Sequence, residues 1–220
     1  MITYPKIDTP FKRAEDGTKK LIQGAYKSET VEFIANNDWV WTEKVDGTNT
    51  QVAWDGHSVT YGGRTQASNI QVTLLNYLVK TFGTNEVEEL FEQKFGEMPV
   101  VLFGEGYGAK IQKSGGLYRA DNALILFDVY LPNQRAWMRR DSVEDIAKAF
   151  GLEVVPIALT GTIEDAIEYI QSKPMSLVNP AHKMEGVVGR PKVELIDRMG
   201  RRVITKIKAR DFTEGWYTSN

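Results

Sequence analysis

The sequence predicts an α+β fold of largely antiparallel sheets with helices packed outside them. Three observations carry that expectation. Apolar or alternating runs of strand length recur between Trp39 and Lys208. Turn signals separate some of them, and Asp55-Gly56 is a favoured hairpin turn. Between the strands lie segments whose apolar residues repeat at helical spacing, as in Val87, Leu90, Phe91 and Phe95. Helices segregated around such strands give this architecture.

Ser28 to Asn36 reads as a short helix, with Val31 and Phe33-Ile34 as a partial apolar face. Trp39 to Val45 alternates as a strand, and Thr50 to Trp54 and Ser58 to Tyr61 are expected as its hairpin partners. Ile70 to Phe82 and Glu86 to Phe95 read as helices, Met98 to Phe103 and Ala123 to Tyr130 as strands. Asp141 followed by Glu144 has the form of an N-cap with its capping-box acid, and Gly151 ends that helix. Leu152 to Ile157 is expected as a strand and Thr162 to Ile170 as a helix capped by Thr162. Pro174 and Pro180 bracket a loop before strands at Glu185 to Arg190, Val193 to Ile196 and Val203 to Lys208.

A chain of 220 residues suits one domain and is long enough to bury a proper core. Cysteine is absent, which excludes disulfides, zinc-thiolate sites and cysteine nucleophiles and fits a reducing cytosol. No apolar stretch approaches a membrane span, and the first residues do not form a signal peptide. The net charge of −2 is not that of a generally basic nucleic-acid binder. Basic residues nevertheless gather at Lys12-Arg13, Lys19-Lys20, Arg139-Arg140, Arg201-Arg202 and Lys206 to Arg210, so a local basic groove is compatible with the composition.

Chemistry is suggested by Glu43-Lys44-Val45-Asp46-Gly47-Thr48-Asn49. A lysine amine is a usable nucleophile only when its pKa is lowered or a neighbour removes its proton. Glycine lets a backbone approach a ligand closely. Further clusters follow: Phe103-Gly104-Glu105, Leu126-Phe127-Asp128, Glu185-Gly186-Val187-Val188 and Lys206-Ile207-Lys208. Lys206 and Lys208, two apart on a strand, point to one face.

These five clusters, in this order, resemble the collinear motifs of the covalent nucleotidyltransferases: ATP-dependent DNA ligases, RNA ligases and mRNA capping enzymes. The likeness runs from about Trp39 to Arg210. Asn49 stands where DNA ligases and capping enzymes usually carry an arginine, and Arg64 follows about twenty residues after the lysine. That pattern resembles the RNA ligase 2 branch, whereas Asp46 is closer to the DNA-ligase form. The resemblance implies two largely antiparallel sheets flanking a nucleotide cleft, a nucleotidyltransferase/ATP-grasp-like ligase core. One adenylyltransferase domain is expected over 1–220, without the OB-fold or helical domain that such enzymes carry after the last motif.

By this resemblance Lys44 attacks the α-phosphate of ATP to form lysyl-AMP. The AMP passes to a 5′-phosphate, which is then joined to a 3′-hydroxyl. Lys206 and Lys208 neutralise phosphate charge, and Glu185 acts with them in catalysis. Glu105 and Glu185 hold Mg²⁺ (or Mn²⁺), or Glu105 binds the ribose hydroxyls. Phe127 stacks on adenine, or is core. Glu43 lies near adenine, Asn49 and Arg64 contact phosphate, and Asp46 orients the 3′-hydroxyl end or a metal-bound water. Asp128 is a candidate structural residue, and His57 and His182 lie outside the motifs. The expected substrate is RNA or an RNA-containing nicked duplex, joined by a monomer in the cytoplasm, that of the host if the protein is phage-encoded. A minimal DNA ligase of the same chemistry and a nucleotide-binding protein without turnover are the alternatives.

Overall fold

The computed structural model of the protein describes residues 2–65 and 67–212. In chain order the elements are β1 (Phe11–Arg13), β2 (Leu21–Tyr26), α1 (Glu29–Phe33), β3 (Trp39–Glu43), β4 (Thr48–Trp54), β5 (Val59–Gly63), α2 (Val72–Phe82), α3 (Asn85–Phe95) and β6 (Val100–Gly108). There follow α4 (Gly115–Tyr118), β7 (Asn122–Leu131), β8 (Ala136–Trp137), α5 (Arg140–Ala149), β9 (Glu153–Val154), β10 (Ile157–Gly161), α6 (Ile163–Gln171), β11 (Gly186–Pro191), β12 (Thr205–Lys208) and α7 (Ala209–Phe212). The architecture is mixed α+β with mainly antiparallel sheets, as expected. It divides into two compact units, Met1–Pro5 with Asp46–Val155 and Lys6–Val45 with Pro156–Asn220. The single domain expected over 1–220 also takes in Met1, Gln66 and residues 213–220, which lie outside the described residues.

The second of these units holds a four-stranded sheet in the order β10-β3-β11-β12 and a small ribbon of β1 and β2. Trp39 and Trp41 project from one face of β3 because strand side chains alternate. Both are fully buried, with ring centroids 5.7 Å apart, and each indole N–H reaches a carbonyl: Ile34 O at 3.0 Å and Gly161 O at 3.1 Å. Gly189 of β11 is paired to Trp41, and a Cβ there would run into the Trp41 ring. The 3.6-residue period of α6 lays Ile163, Ala166, Ile167 and Ile170 against this core. Thr162 and Asp165 form a capping box at its start.

The other unit holds a six-stranded sheet in the order β5-β4-β6-β7-β8, with β9 running parallel to β7. Its core joins Val52, Leu102, Leu124, Leu126 and Val129 to Leu74, Leu78 and Phe82 of α2, Phe91 of α3 and Ile146 of α5. Trp54 stacks on Phe91 with centroids 5.6 Å apart.

Several expectations are corrected. β4 and β5 form a hairpin with each other, but β3 pairs with neither; its neighbours are β10 and β11. The expected strand Leu152 to Ile157 is two strands in different sheets, β9 on β7 and β10 on β3, separated at Val155-Pro156. Asp141 is not a cap: α5 begins after Arg139, and Glu144 takes a 2.6 Å ion pair from Arg140. Val193 to Ile196 contributes only an isolated bridge from Ile196 to Arg202. The short strands β1, β2 and β8 lie where no strand was expected.

Candidate active site

Three strands of the four-stranded sheet bring the nucleophile candidate to its partners. β3 ends at Glu43, and the Lys44 backbone N–H donates to Gly186 O at 2.8 Å. On the other side of β11, Gly186 is paired with Lys208 of β12. Residues far apart in sequence thus meet at one sheet end. Lys44 Nζ lies 2.6 Å from Glu185 Oε2, and Lys208 Nζ lies 3.3 Å from Glu185 Oε1. The Lys44, Glu185 and Lys208 side chains are only 22%, 10% and 17% exposed, so water screens them weakly. One carboxylate between two ammonium groups leaves a net positive cluster, which suits a phosphate.

Lys206 shares the Lys208 side of β12 by alternation and lines a cleft with residues of the N-terminal segment. Glu43 is engaged elsewhere. Its buried carboxylate accepts from Ser176 Oγ at 2.5 Å, from Leu177 N at 2.7 Å and from Val178 N at 3.2 Å. Burial pushes the nearby Tyr169 phenol up, and the Glu43 charge adds to that. The Glu43 side chain therefore fastens the 176–178 loop, and its backbone N–H donates to Pro156 O at 2.9 Å.

The remaining sequence candidates lie in the six-stranded unit. The Asp46 carboxylate accepts from Ser114 Oγ, and its N–H donates to Tyr118 Oη at 3.2 Å. Gly47 is required by a close approach to the neighbouring strand: a Cβ there would meet Gly106 O and Glu105 Cγ. Asn49 faces Glu105 across β4 and β6, and its buried Oδ1 has no hydrogen-bond partner among the described residues. Arg64 donates through Nε to Tyr4 O at 3.3 Å.

Phe127 sits in a β-bulge. Phe103 pairs with Asp128 and Gly104 with Leu126, so Phe127 is the extra residue between them. A bulge re-aims the side chain of the inserted residue. Phe127 is half-buried while Leu126 and Asp128 are buried, and the Tyr4 ring meets it edge-on with centroids 5.2 Å apart. Asp128 is only 1% exposed and accepts from Tyr4 Oη at 2.6 Å, a structural bond.

Residues 37–208 match the model of the RNA ligase family. This chain belongs to the RNA ligase family. No curated protein matches it. Solved structures of Naegleria gruberi RNA ligase share the fold of this family member. The form with pyrophosphate is 19% identical, with a TM-score of 0.62 over 94% of this chain and 62% of its own. A mutant with ATP and Mn is 20% identical, with a TM-score of 0.61 over 81% of this chain and 52% of its own. The RNA ligase family chain described here thus spans between 52% and 62% of the length of these two Naegleria chains.

Glu185, one of the two carboxylates expected to hold a metal ion, is engaged by cations and so does not fit a resident one. Both Glu185 oxygens face lysine ammonium groups. Among the described residues, no group of three or more His, Cys, Asp or Glu gathers that could hold one. Nor is any helix among them long and apolar enough to cross a membrane. Ser176, Ser114 and Tyr4 were missed as supports of Glu43, Asp46 and Asp128, because each acts across 133, 68 or 124 positions of sequence. No local pattern signals such a contact.

Proposed function

We propose that the chain is an ATP-dependent polynucleotide ligase of the RNA ligase 2 type, acting through a covalent lysyl-AMP on Lys44. The observation that carries this reading is the Lys44–Glu185–Lys208 cluster at one sheet end. Once the Lys44 ammonium loses its proton, the Nζ lone pair attacks the α-phosphorus. The bond from that phosphorus to the bridging oxygen breaks, and pyrophosphate leaves with the electron pair. Glu185, at 2.6 Å, is within reach to receive the proton and holds the amine in place. Lys208 and Lys206 offset the charge on the α-phosphate, a role in which positioning and neutralisation are most of the catalysis.

In the second step a 5′-phosphate oxygen attacks the same phosphorus, the N–P bond breaks and the amine regains a proton. In the third, a 3′-hydroxyl loses its proton and attacks the activated 5′-phosphorus, and AMP departs. Phe127, re-aimed by its bulge, offers a ring to the adenine. Asn49 Oδ1, a buried acceptor without a partner among the described residues, awaits a donor such as a hydroxyl. Any divalent ion is held chiefly by the triphosphate, since magnesium takes few protein carboxylates at such sites.

Incubation with α-labelled ATP should give a labelled protein whose bond is acid-labile and stable to alkali. Lys44→Ala should give none; persistent label would place the nucleophile elsewhere. Nicked duplexes with RNA or DNA on each side of the break test the substrate. Sealing that requires RNA at the 3′-hydroxyl side supports the RNA ligase 2 reading, and equal use of all-DNA nicks would favour a DNA ligase.

A further inference from the structure

The N-terminal segment of the four-stranded unit carries a cleft that the three chemical steps leave unassigned, apart from Lys206. Asp8 forms a parallel bridge to Thr205 at the edge of β12, and its carbonyl accepts from Lys206 N at 3.0 Å and Thr205 Oγ1 at 2.9 Å. β1 and β2 continue from there, with Phe11 buried in the core of the unit. A cleft of about 550 Å³ lies among these residues and Lys206. Ile7, Phe11 and Ile22 give it apolar walls, and Lys6, Lys12, Arg13, Lys27 and Lys206 line it with cations against the acids Asp8 and Glu15.

The cations are not all neutralised. Lys27 pairs with Asp8 at 2.8 Å, and Arg13 forms a fork with Asp211 at 2.8 and 3.1 Å. Lys6 and Lys12 are exposed and make no ion pair among the described residues. The first 28 residues hold six Lys or Arg against three Asp or Glu, in a chain whose net charge is −2. The segment therefore concentrates positive charge that the whole chain does not have. A bare pyrophosphate would leave the apolar walls uncovered, whereas sugar faces between phosphates would cover them.

We propose that this cleft binds the sugar-phosphate backbone of the polynucleotide, with Lys6 and Lys12 on phosphates and Lys206 linking the cleft to the sheet end that holds Lys44. The proposal rests on the ligase reading above. Binding of a 5′-phosphorylated nicked duplex, followed by fluorescence anisotropy without ATP between about 50 and 200 mM salt, tests it. The Lys6→Ala/Lys12→Ala double variant should bind about tenfold more weakly. The slope of log affinity against log salt should fall by about two, roughly one per lost phosphate contact. Lysyl-AMP formation without nucleic acid should keep its ATP dependence. A Lys6→Arg/Lys12→Arg variant should bind as the wild type does.

Unchanged duplex affinity in the alanine variant would overturn the proposal. So would a raised ATP requirement with unchanged duplex affinity, which would give the cleft to the triphosphate. Equal loss in the arginine and alanine variants would trace the effect to packing and also overturn it. Failure of the ligase reading is separable: a wild type that binds duplex through these lysines but never labels on Lys44 would leave this cleft standing.

Discussion

The two sheets hold their candidate residues by different means. In the four-stranded sheet, side chains hold side chains: Glu185 grips Lys44 and Lys208 with both oxygens. In the six-stranded sheet, backbone register holds them: Phe127 is set by a bulge, Asn49 and Glu105 by cross-strand pairing, and Asp128 is buried behind them against Tyr4. The four-stranded sheet holds its residues by ion pairs, whereas Asp46 and Asp128 of the six-stranded unit accept from the neutral hydroxyls of Ser114 and Tyr4. Substitutions in the first sheet should therefore remove chemistry and spare the fold. In the second, they should split between weaker nucleotide binding and lost stability.

The largest effect tests the charged cluster. Glu185→Gln keeps the shape but removes the charge that holds both lysines. Lysyl-AMP formation should fall by about 10²-fold or more, the scale on which loss of one preorganised electrostatic group in an active site is felt. Circular dichroism should still show a cooperative melt, because the side chains keep some access to water. Activity near the wild-type rate would reduce Glu185 to a sheet-end spacer.

The six-stranded sheet should respond in its own way. Phe127→Ala should raise the ATP concentration for half-maximal labelling by about tenfold, since an aromatic pair adds about 0.5–1.5 kcal/mol beyond its buried area. The maximal rate of labelling should change less. A fall in rate at unchanged ATP requirement would show that Phe127 acts on the reacting atoms and not on the base. Tyr4→Phe, by contrast, removes one donor from the buried Asp128 carboxylate. The cost should be about 1–3 kcal/mol, and thermal denaturation should show a drop of about 2–4 °C for each. Unchanged stability would mean that another group replaces the Tyr4 hydroxyl.

The sequence is legible where structure is local and opaque where it depends on pairing. Thr162 is recognisable as a cap because its partner is three residues away. The strand character of Trp39 to Glu43 follows from alternation, yet alternation cannot choose a partner, and the nearby Thr50 to Trp54 was the wrong one. Phe127 could be named from its motif, but its bulge appears only when β7 is laid against β6. Lys44 and Glu185, 141 positions apart, were brought together by resemblance and not by any physical signal in the intervening residues. Glu43 shows the converse: a position beside Lys44 gives no hint that its carboxylate serves the 176–178 loop.

The smallest effect asks whether the scaffold of the charged sheet can be weakened without touching its chemistry. Asp165 accepts from the Thr162 backbone N–H at 2.7 Å and from its hydroxyl at 2.9 Å, and those bonds hold its carboxyl below the usual carboxylate range. A depressed folded-state pKa contributes stability above the unfolded pKa and loses it as pH falls through the folded value. Thr162→Ala removes the hydroxyl that caps Asp165 N at 3.1 Å. It should cost about 1 kcal/mol at neutral pH, seen as a melting point about 2–4 °C lower. For Asp165→Ala, the gap from wild type should be full at neutral pH and close in acid, once the wild-type carboxyl is protonated too. Lysyl-AMP formation at 25 °C should stay at the wild-type rate in both variants, because α6 meets this sheet through Ile163, Ala166, Ile167 and Ile170 and not through the ion cluster. A large rate loss with an unchanged melt would show that the cap of α6 is coupled to the Lys44 cluster, and the contrast between charge-held and backbone-held residues would then have to be redrawn.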